Sequence, residues 1–517
     1  MVDFFLRRAR KTIALGALNV RKCKVERFKC MKLKILMVSS ECAPFSKVGG
    51  LADMVSSLSK QFAADGYDVK VFTPLYSSVK RTPKFVKKFD NFSIHMGLGI
   101  EEFASVWSAP LGKAEALFLE FNRYYQRDGI YNSGGESYGD NGGRFAFLSR
   151  AALDFCLSTG WIPDVIHCHD WPTGLVPVYL NTTLRNSILG RSATVFTIHN
   201  LQHQGIFNAG VLEYAGIPMR EFRADSCEAL GNLNMMKGAL FNATKLTTVS
   251  PTYAREIQTS EYGCGLEGVL KFRAADLIGI INGVDVQEWN PASDPMIASN
   301  YSLADMSGKS ACKRALQERV GLKVSSKIPL FGVVSRLFDQ KGLDLLARIA
   351  QPLVDNMNIQ LMVLGSGEPW LEDSFKGLTA ANPGKIASYI GYSNELSHMI
   401  EAGSDFFIMP SRFEPCGLNQ MYSMIYATLP IVRRTGGLAD TVSQYEEGAG
   451  IGTGFLFDDA TTSALYNTIG WACSTWYDRK PDITALRRNA MGRDFSWSAS
   501  AEKYAQVYKW SVDARTA

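Results

Sequence analysis

The sequence has no apolar run approaching the roughly 18 residues that a membrane-spanning helix needs. It also has no low-complexity tract and no pair of cysteines spaced as CxxC. The first absence sets aside membrane-spanning helices, and 46% hydrophobic with 20% charged residues is an ordinary globular balance. The ten cysteines (23, 30, 42, 156, 168, 227, 264, 312, 416 and 473) are scattered. Such scatter predicts reduced thiols in a soluble cytoplasmic protein, not a disulfide framework or a zinc site. Charge of one sign is missing from the body of the chain as well. The formal net charge is +5, yet residues 1–30 alone hold nine Lys/Arg against two acidic residues. The remaining 46 basic and 48 acidic residues leave no electrostatic footprint for nucleic acid. The basic tail surrounds an apolar stretch, Thr12 to Val20, but has no small-residue cleavage site and no serine. It is therefore taken as a basic extension, or as sequence upstream of a start at Met31, in preference to a targeting peptide.

What is present is length and periodicity. A chain of 517 residues exceeds what one core usually supports, so two or more domains are expected. KILMVSS (34–40) reads as a buried parallel strand, followed by a helical pattern from 51 to 66 and a second strand, DVKVFTP. Further strands are expected at 164–169, 193–199 and 245–250, and INGVDVQEWNPASDP (281–295) has the turn residues of a domain crossing. A second series follows, with strands at 329–335, 359–365 and 405–411 and a final amphipathic helix. The pattern predicts an α/β protein with two Rossmann-like, doubly wound domains and a cleft between them. The expected limits are 1–30 for the extension, 31–277 and 285–494 for the domains, and 495–517 for the last helix.

Every chemical motif falls after one of these strands, where open parallel sheets bind ligands. KVGGLAD (47–53) and RTGGLAD (434–440) are near-identical, one per half. Paired glycines let a backbone approach a ligand closely, and a following helix N-terminus attracts phosphate. Arg336 and Lys341 follow another strand, in SRLFDQKG. HCHDW (167–171) places His167 and His169 on one strand face, but no third metal ligand stands at a recognisable spacing. Asp170 and Trp171 at that strand's end are therefore expected to face the cleft. His199 ends another strand, and SRFEPCGLNQ supplies Glu414 and Cys416. The one GxG after a strand, Gly365 to Gly367, has Trp370 where a dinucleotide fingerprint needs its third glycine, which argues against a dehydrogenase.

Taken together, KVGGLAD, HCHDW, FTIHN, INGVD, SRLFDQKG, SRFEPCGL and RRTGGLADTV, in that order from Leu33 to Tyr508, resemble the bacterial glycogen and plant starch synthases. The resemblance implies a retaining glucosyltransferase of the GT-B fold that moves glucose from ADP-glucose to an α-1,4-glucan. No DxD-type metal motif stands out, so no metal or other cofactor is expected; no nucleic-acid or membrane partner is expected from the charge and hydropathy, and oligomeric state is open. The resemblance casts Glu414, His199, Arg336 and Lys341 as catalytic, with Glu414 facing the anomeric charge and the two cations neutralising the diphosphate. His199 would hold the sugar 6-hydroxyl. Lys47, Gly49, Gly50, Asn282, Tyr392, Cys416, Gly417, Leu418, Thr435, Gly436 and Gly437 would bind the donor, Tyr392 by stacking on adenine. Asp53, Tyr125 and Asp170 would line the sugar and acceptor cleft. His203 stands where many relatives have Tyr, and Ala427 where Gly is usual. A related GT-B enzyme using another donor or acceptor is the main alternative; a non-catalytic glucan-binding relative would be expected to have lost Glu414, Lys341 or Lys47, and all three are present.

Overall fold

In the computed structural model, which describes residues 32–516, a mixed, mainly parallel sheet and an all-parallel sheet face each other across a cleft. The 1–30 extension lies outside the described residues. The first sheet has nine strands: β1 (Lys34–Val38), β2 (Asp68–Pro74), β3 (Val86–His95), β4 (Glu101–Leu111), β5 (Ala114–Glu120), β6 (Val165–His169), β7 (Ala193–Ile198), β8 (Lys245–Thr248) and β9 (Leu277–Gly279). They lie in the order β9-β8-β7-β6-β1-β2-β5-β4-β3. All neighbours are parallel except the β3–β4 and β4–β5 pairs. The second sheet is parallel throughout, built from β10 (Leu330–Val334), β11 (Gln360–Gly365), β12 (Ile386–Ile390), β13 (Phe406–Met409), β14 (Leu429–Arg433) and β15 (Phe455–Phe457).

The central strands are short continuous apolar runs because helices cover both faces. In β1, Ile35 to Val38 are fully buried, as are Phe406 and Phe407 of β13. The second sheet runs β12-β11-β10-β13-β14-β15, the doubly wound arrangement in which the strand order reverses between the first and fourth strands. That switch point lies between β10 and β13. In the first sheet the corresponding reversal lies between β1 and β6. Loops leaving a switch point part to opposite sides and open a crevice, so the segments after β1, β6, β10 and β13 are where a ligand is expected.

Five helices matter for the site: α1 (Gly50–Ala64), α2 (Pro251–Glu256), α3 (Asn419–Ile425), α4 (Gly436–Thr441) and α5 (Trp497–Thr516). The chain crosses between domains twice at adjacent points, where Val284 N–H donates to Phe495 O at 2.8 Å. The last helix, α5, returns to the first domain. There Tyr504 and Tyr508 are fully buried and Arg515 caps the carbonyls of Leu180 and Gly190.

Candidate active site

The crevice between the two switch points holds a cavity of about 600 Å³ with walls from both domains. Glu414, on the loop after β13, is 5% exposed. Its Oε2 accepts from Lys341 Nζ at 2.6 Å and from Ser411 Oγ at 3.0 Å. A carboxylate this buried is stable only when paired and hydrogen-bonded, and Lys341 supplies both. Arg336, from the loop after β10, stands on the same wall. So do His199, Asp170, Gly49 and Gly50 from the first domain, with Asn282, Cys416, Gly417 and Leu418.

On the first-domain side, α1 starts without a side-chain cap of its own. Glu41, eight residues upstream, fills that role: its Oε2 accepts from Val48 N at 2.6 Å and Gly49 N at 3.2 Å. Tyr131 donates its hydroxyl to the other oxygen at 2.6 Å. Burial raises the Glu41 carboxyl above its usual range, against the lowering effect of those three donors. The Lys47 side chain, half exposed, reaches back to Asp53 at 2.8 Å. A Cβ built on Gly49 would meet nothing within 4 Å, and one on Gly50 would stop 3.5 Å from Leu418 of the opposite domain. Protein packing does not require these glycines; the open face is toward the cavity.

The second glycine pair is different, and the expectation for it is corrected. Thr435, Gly436 and Gly437 lie behind the cavity wall and do not form it. A Cβ at Gly436 would come within 1.9 Å of Glu414 O, and one at Gly437 within 2.0 Å of Cys416 O. These glycines exist so that α4 can pack under the Glu414 loop. Their N–H groups are already used: Gly436 donates to Glu256 of α2 at 3.0 Å and Gly437 to Glu414 O at 3.1 Å. Arg434 turns outward to Asp458.

Tyr125 also needs correction. It is fully buried and donates its hydroxyl to Arg144 O at 2.8 Å, beneath the cleft. Tyr131 takes the place expected of it on the cavity wall. Asp170 does line the cavity, in the left-handed region at φ 55°, which is costly for a non-glycine residue. Its Oδ1 accepts from His199 N at 2.8 Å, and burial lifts its carboxyl to about 7 against that bond and a second from Asn200. Burial likewise lowers His199 to about 3, so its ring is neutral. His203 on the same wall is lowered by burial and by nearby Arg336. The Cys416 thiol is pushed up to about 12 by burial and stays protonated.

Beyond Gly50 the cleft continues into a second cavity of about 370 Å³ between Lys47, Asp53, Asn282 and Tyr392. Tyr392 is 81% exposed at its mouth. Trp289 forms part of the wall and is sandwiched between His398 and Tyr422, each ring 3.9 Å away. Asn282 borders both cavities and its buried Oδ1 has no partner among the described residues. Glu41, Tyr131 and Trp289 were not legible as site residues. The only signal for Glu41 was a carboxylate beside a strand end in ECAPFSKVGG.

Comparisons with known proteins identify the family and the fold. Residues 34–272 match the starch synthase catalytic domain, and residues 317–483 match the glycosyl transferases group 1 domain. The chain is 48% identical over 481 residues to glycogen synthase 1 of Geobacter metallireducens, covering 92% of this chain and 96% of that protein. It is 43% identical to the glycogen synthase of Treponema denticola, covering 93% and 99%. Among solved structures, it superimposes on the catalytic domain of starch synthase IV from Arabidopsis thaliana bound to ADP and acarbose, with a TM-score of 0.87 and 32% identity. That match covers 93% of this chain and 100% of the other. Sucrose-phosphate synthase from Thermosynechococcus elongatus, 18% identical with a TM-score of 0.57, shares the fold.

Proposed function

The chain belongs to the bacterial glycogen synthase and plant starch synthase family, and on that premise we propose how its cleft works. The protein is a GT-B glucosyltransferase of glycogen or starch synthesis, transferring glucose from ADP-glucose to the non-reducing end of an α-1,4-glucan. The observation that carries the mechanism is the Lys341–Glu414 pair, buried in a cavity shared by both domains and flanked by Arg336 and the open Gly49–Gly50 turn.

Departure of ADP leaves positive charge on the anomeric carbon and negative charge on the diphosphate. Glu414 faces the first; Arg336, Lys341 and the Lys47 turn answer the second. In the resting pair Lys341 neutralises Glu414, so donor binding must draw the ammonium toward the phosphates and free the carboxylate for the glucosyl group. A cation about 4 Å from a phosphate contributes up to ~4 kcal/mol at an effective dielectric near 20. Transfer with retention follows if the leaving diphosphate takes the acceptor's proton while the glucan attacks the same face. Asp170, His199 and Asn282 hold sugar hydroxyls in this scheme, and Tyr392 meets the adenine at the mouth of the second cavity.

Glucose incorporation from ADP-glucose into glycogen tests the function, with Glu414→Ala as the inactive control. Loss of one preorganised charge contact typically costs ~10²–10³ in rate, so Lys341→Ala is expected to lower kcat at least about tenfold while the circular-dichroism spectrum is kept. Normal turnover in that folded variant would remove Lys341 from the mechanism. The protein's own cations supply the charge that this scheme needs, so turnover is expected to persist in a chelator. Activity lost to chelation and restored by Mg²⁺ would overturn that point. A cytoplasmic location is proposed on the eight described cysteines, all free and seven of them buried.

A further inference from the structure

Behind the cavity wall three imidazoles run from the cleft toward the returning helix α5. His199 stands at the cavity, and its Nε2 lies 3.2 Å from Nδ1 of His169. The His169 ring lies over that of His167, centroids 4.2 Å apart. His167 closes the far end, with Nδ1 2.8 Å from the Tyr508 hydroxyl and Nε2 2.6 Å from Thr197 Oγ1. His167 and His169 are both 0% exposed. Burial, the largest influence on each, holds all three rings below the usual imidazole pKa, and they are neutral at physiological pH.

A neutral imidazole carries one proton, on one of its two nitrogens. The 3.2 Å contact needs one donor and one acceptor, so the tautomers of His169 and His199 are tied together. The other nitrogen of His169 decides between them. Its Nε2 is buried and has no hydrogen-bond partner among the described residues. A proton there would be an orphaned N–H in dry protein, which native structures rarely tolerate; an unpaired acceptor is met more often. Placing the proton on Nδ1 gives it an acceptor, the Nε2 of His199.

The geometry points to His169 as a positioning residue that makes Nε2 of His199 an acceptor and so keeps the His199 proton on Nδ1. That proton is then a hydrogen-bond donor for an oxygen in the cleft. His199 is the member of the trio on the cavity wall, and Nδ1 is the ring nitrogen that His169 leaves free. The site is thereby built to recognise a hydroxyl oxygen as acceptor at this position. Only that last step rests on the glucosyl-transfer reading of the cleft.

The chain has six histidines, few enough for a proton–nitrogen correlation spectrum of the full-length protein carrying nitrogen-labelled histidine. His199→Ala identifies the His199 signals by their loss. The wild-type spectrum near neutral pH is expected to show His199 protonated on Nδ1. In His169→Leu, which offers no donor, His199 should shift toward the other tautomer, and kcat/KM for ADP-glucose should fall about tenfold, the loss of one hydrogen bond. His169→Asn, whose amide can donate from the Nδ1 position, should restore both. A wild-type His199 protonated on Nε2 overturns the inference, and so does an unchanged His199 pattern in folded His169→Leu. The wild-type spectrum decides by itself if the leucine variant does not fold. A wild-type protein inactive on ADP-glucose but protonated on Nδ1 would support this assignment and strike only the functional reading.

Discussion

Asp170 combines two costs in one residue, a left-handed backbone at φ 55° and a buried carboxyl lifted to about 7 from 3.8. The backbone His199 N–H whose bond it accepts ties the segment after β6 to the segment after β7. Between about pH 4 and pH 7 the folded protein holds a proton on Asp170 that the unfolded chain has already released. Stability therefore falls as pH rises through that window and levels off above it. Asp170→Asn keeps an acceptor for the His199 N–H but cannot ionise. Urea unfolding across the window is expected to show a shallower fall with pH in this variant than in wild type. Equal slopes would show that Asp170 stays ionised in the fold. Glu41, raised in the same sense by burial, leaves part of the slope in place. Such residues mark the limit of the sequence. Lys341 and Glu414 were legible because each follows a predicted strand at a switch point. Tyr125 was misplaced because whether a tyrosine faces a cleft or Arg144 behind it depends on packing between distant segments. Ala427 departs from the usual glycine, and only its φ of 56° explains why glycine suits that position.

The twin GGLAD segments show the same limit at the scale of an element. Five identical letters start two helices, α1 and α4, and the letters cannot tell which glycines face a ligand and which face protein. Glutamates outside the motif satisfy N–H groups at these helix starts: Glu41 at the first and Glu256, from the other domain, at the second. The difference is testable by a methyl group. Gly49→Ala adds a Cβ into open space at φ −151°, a conformation alanine accepts. Its thermal midpoint is expected to stay near wild type while KM for ADP-glucose rises, because only the ligand meets the new atom. Gly437→Ala drives a Cβ to 2.0 Å from Cys416 O, and the Glu414 loop must move. Misplacing a catalytic group by about 1 Å can cost ~10² in rate, so kcat should fall by that order whether or not donor affinity changes. Reversed behaviour, with Gly437→Ala active and Gly49→Ala unfolded, would refute the assignment of the two turns.

Across the whole molecule, the domains are tied at the chain crossings and at a clasp between α2 and α4. The two crossings meet at Val284 and Phe495, and α2 clasps α4. In that clasp Glu256 accepts from Gly436 N and Thr435 Oγ1, while Thr252 donates from N and Oγ1 to Asp440 at 2.7 and 2.6 Å. At Gly50 an added Cβ would stop 3.5 Å from Leu418, in the cavity that Val284 and Trp497 of the crossings also line. The clasp also underlies the Glu414 loop, so it couples domain docking to the catalytic carboxylate. Removing a partner from a buried hydrogen-bonded group costs about 1–3 kcal/mol. In Glu256→Ala that loss falls on the contact between domains and spares each core. Wild type is expected to unfold in one calorimetric transition, since each domain is stabilised by the other. The variant should show the transition broadened or split in two, with kcat reduced through the unsettled Glu414 loop. A single transition at the wild-type midpoint, with full turnover, would mean that the crossings and α5 alone hold the domains together.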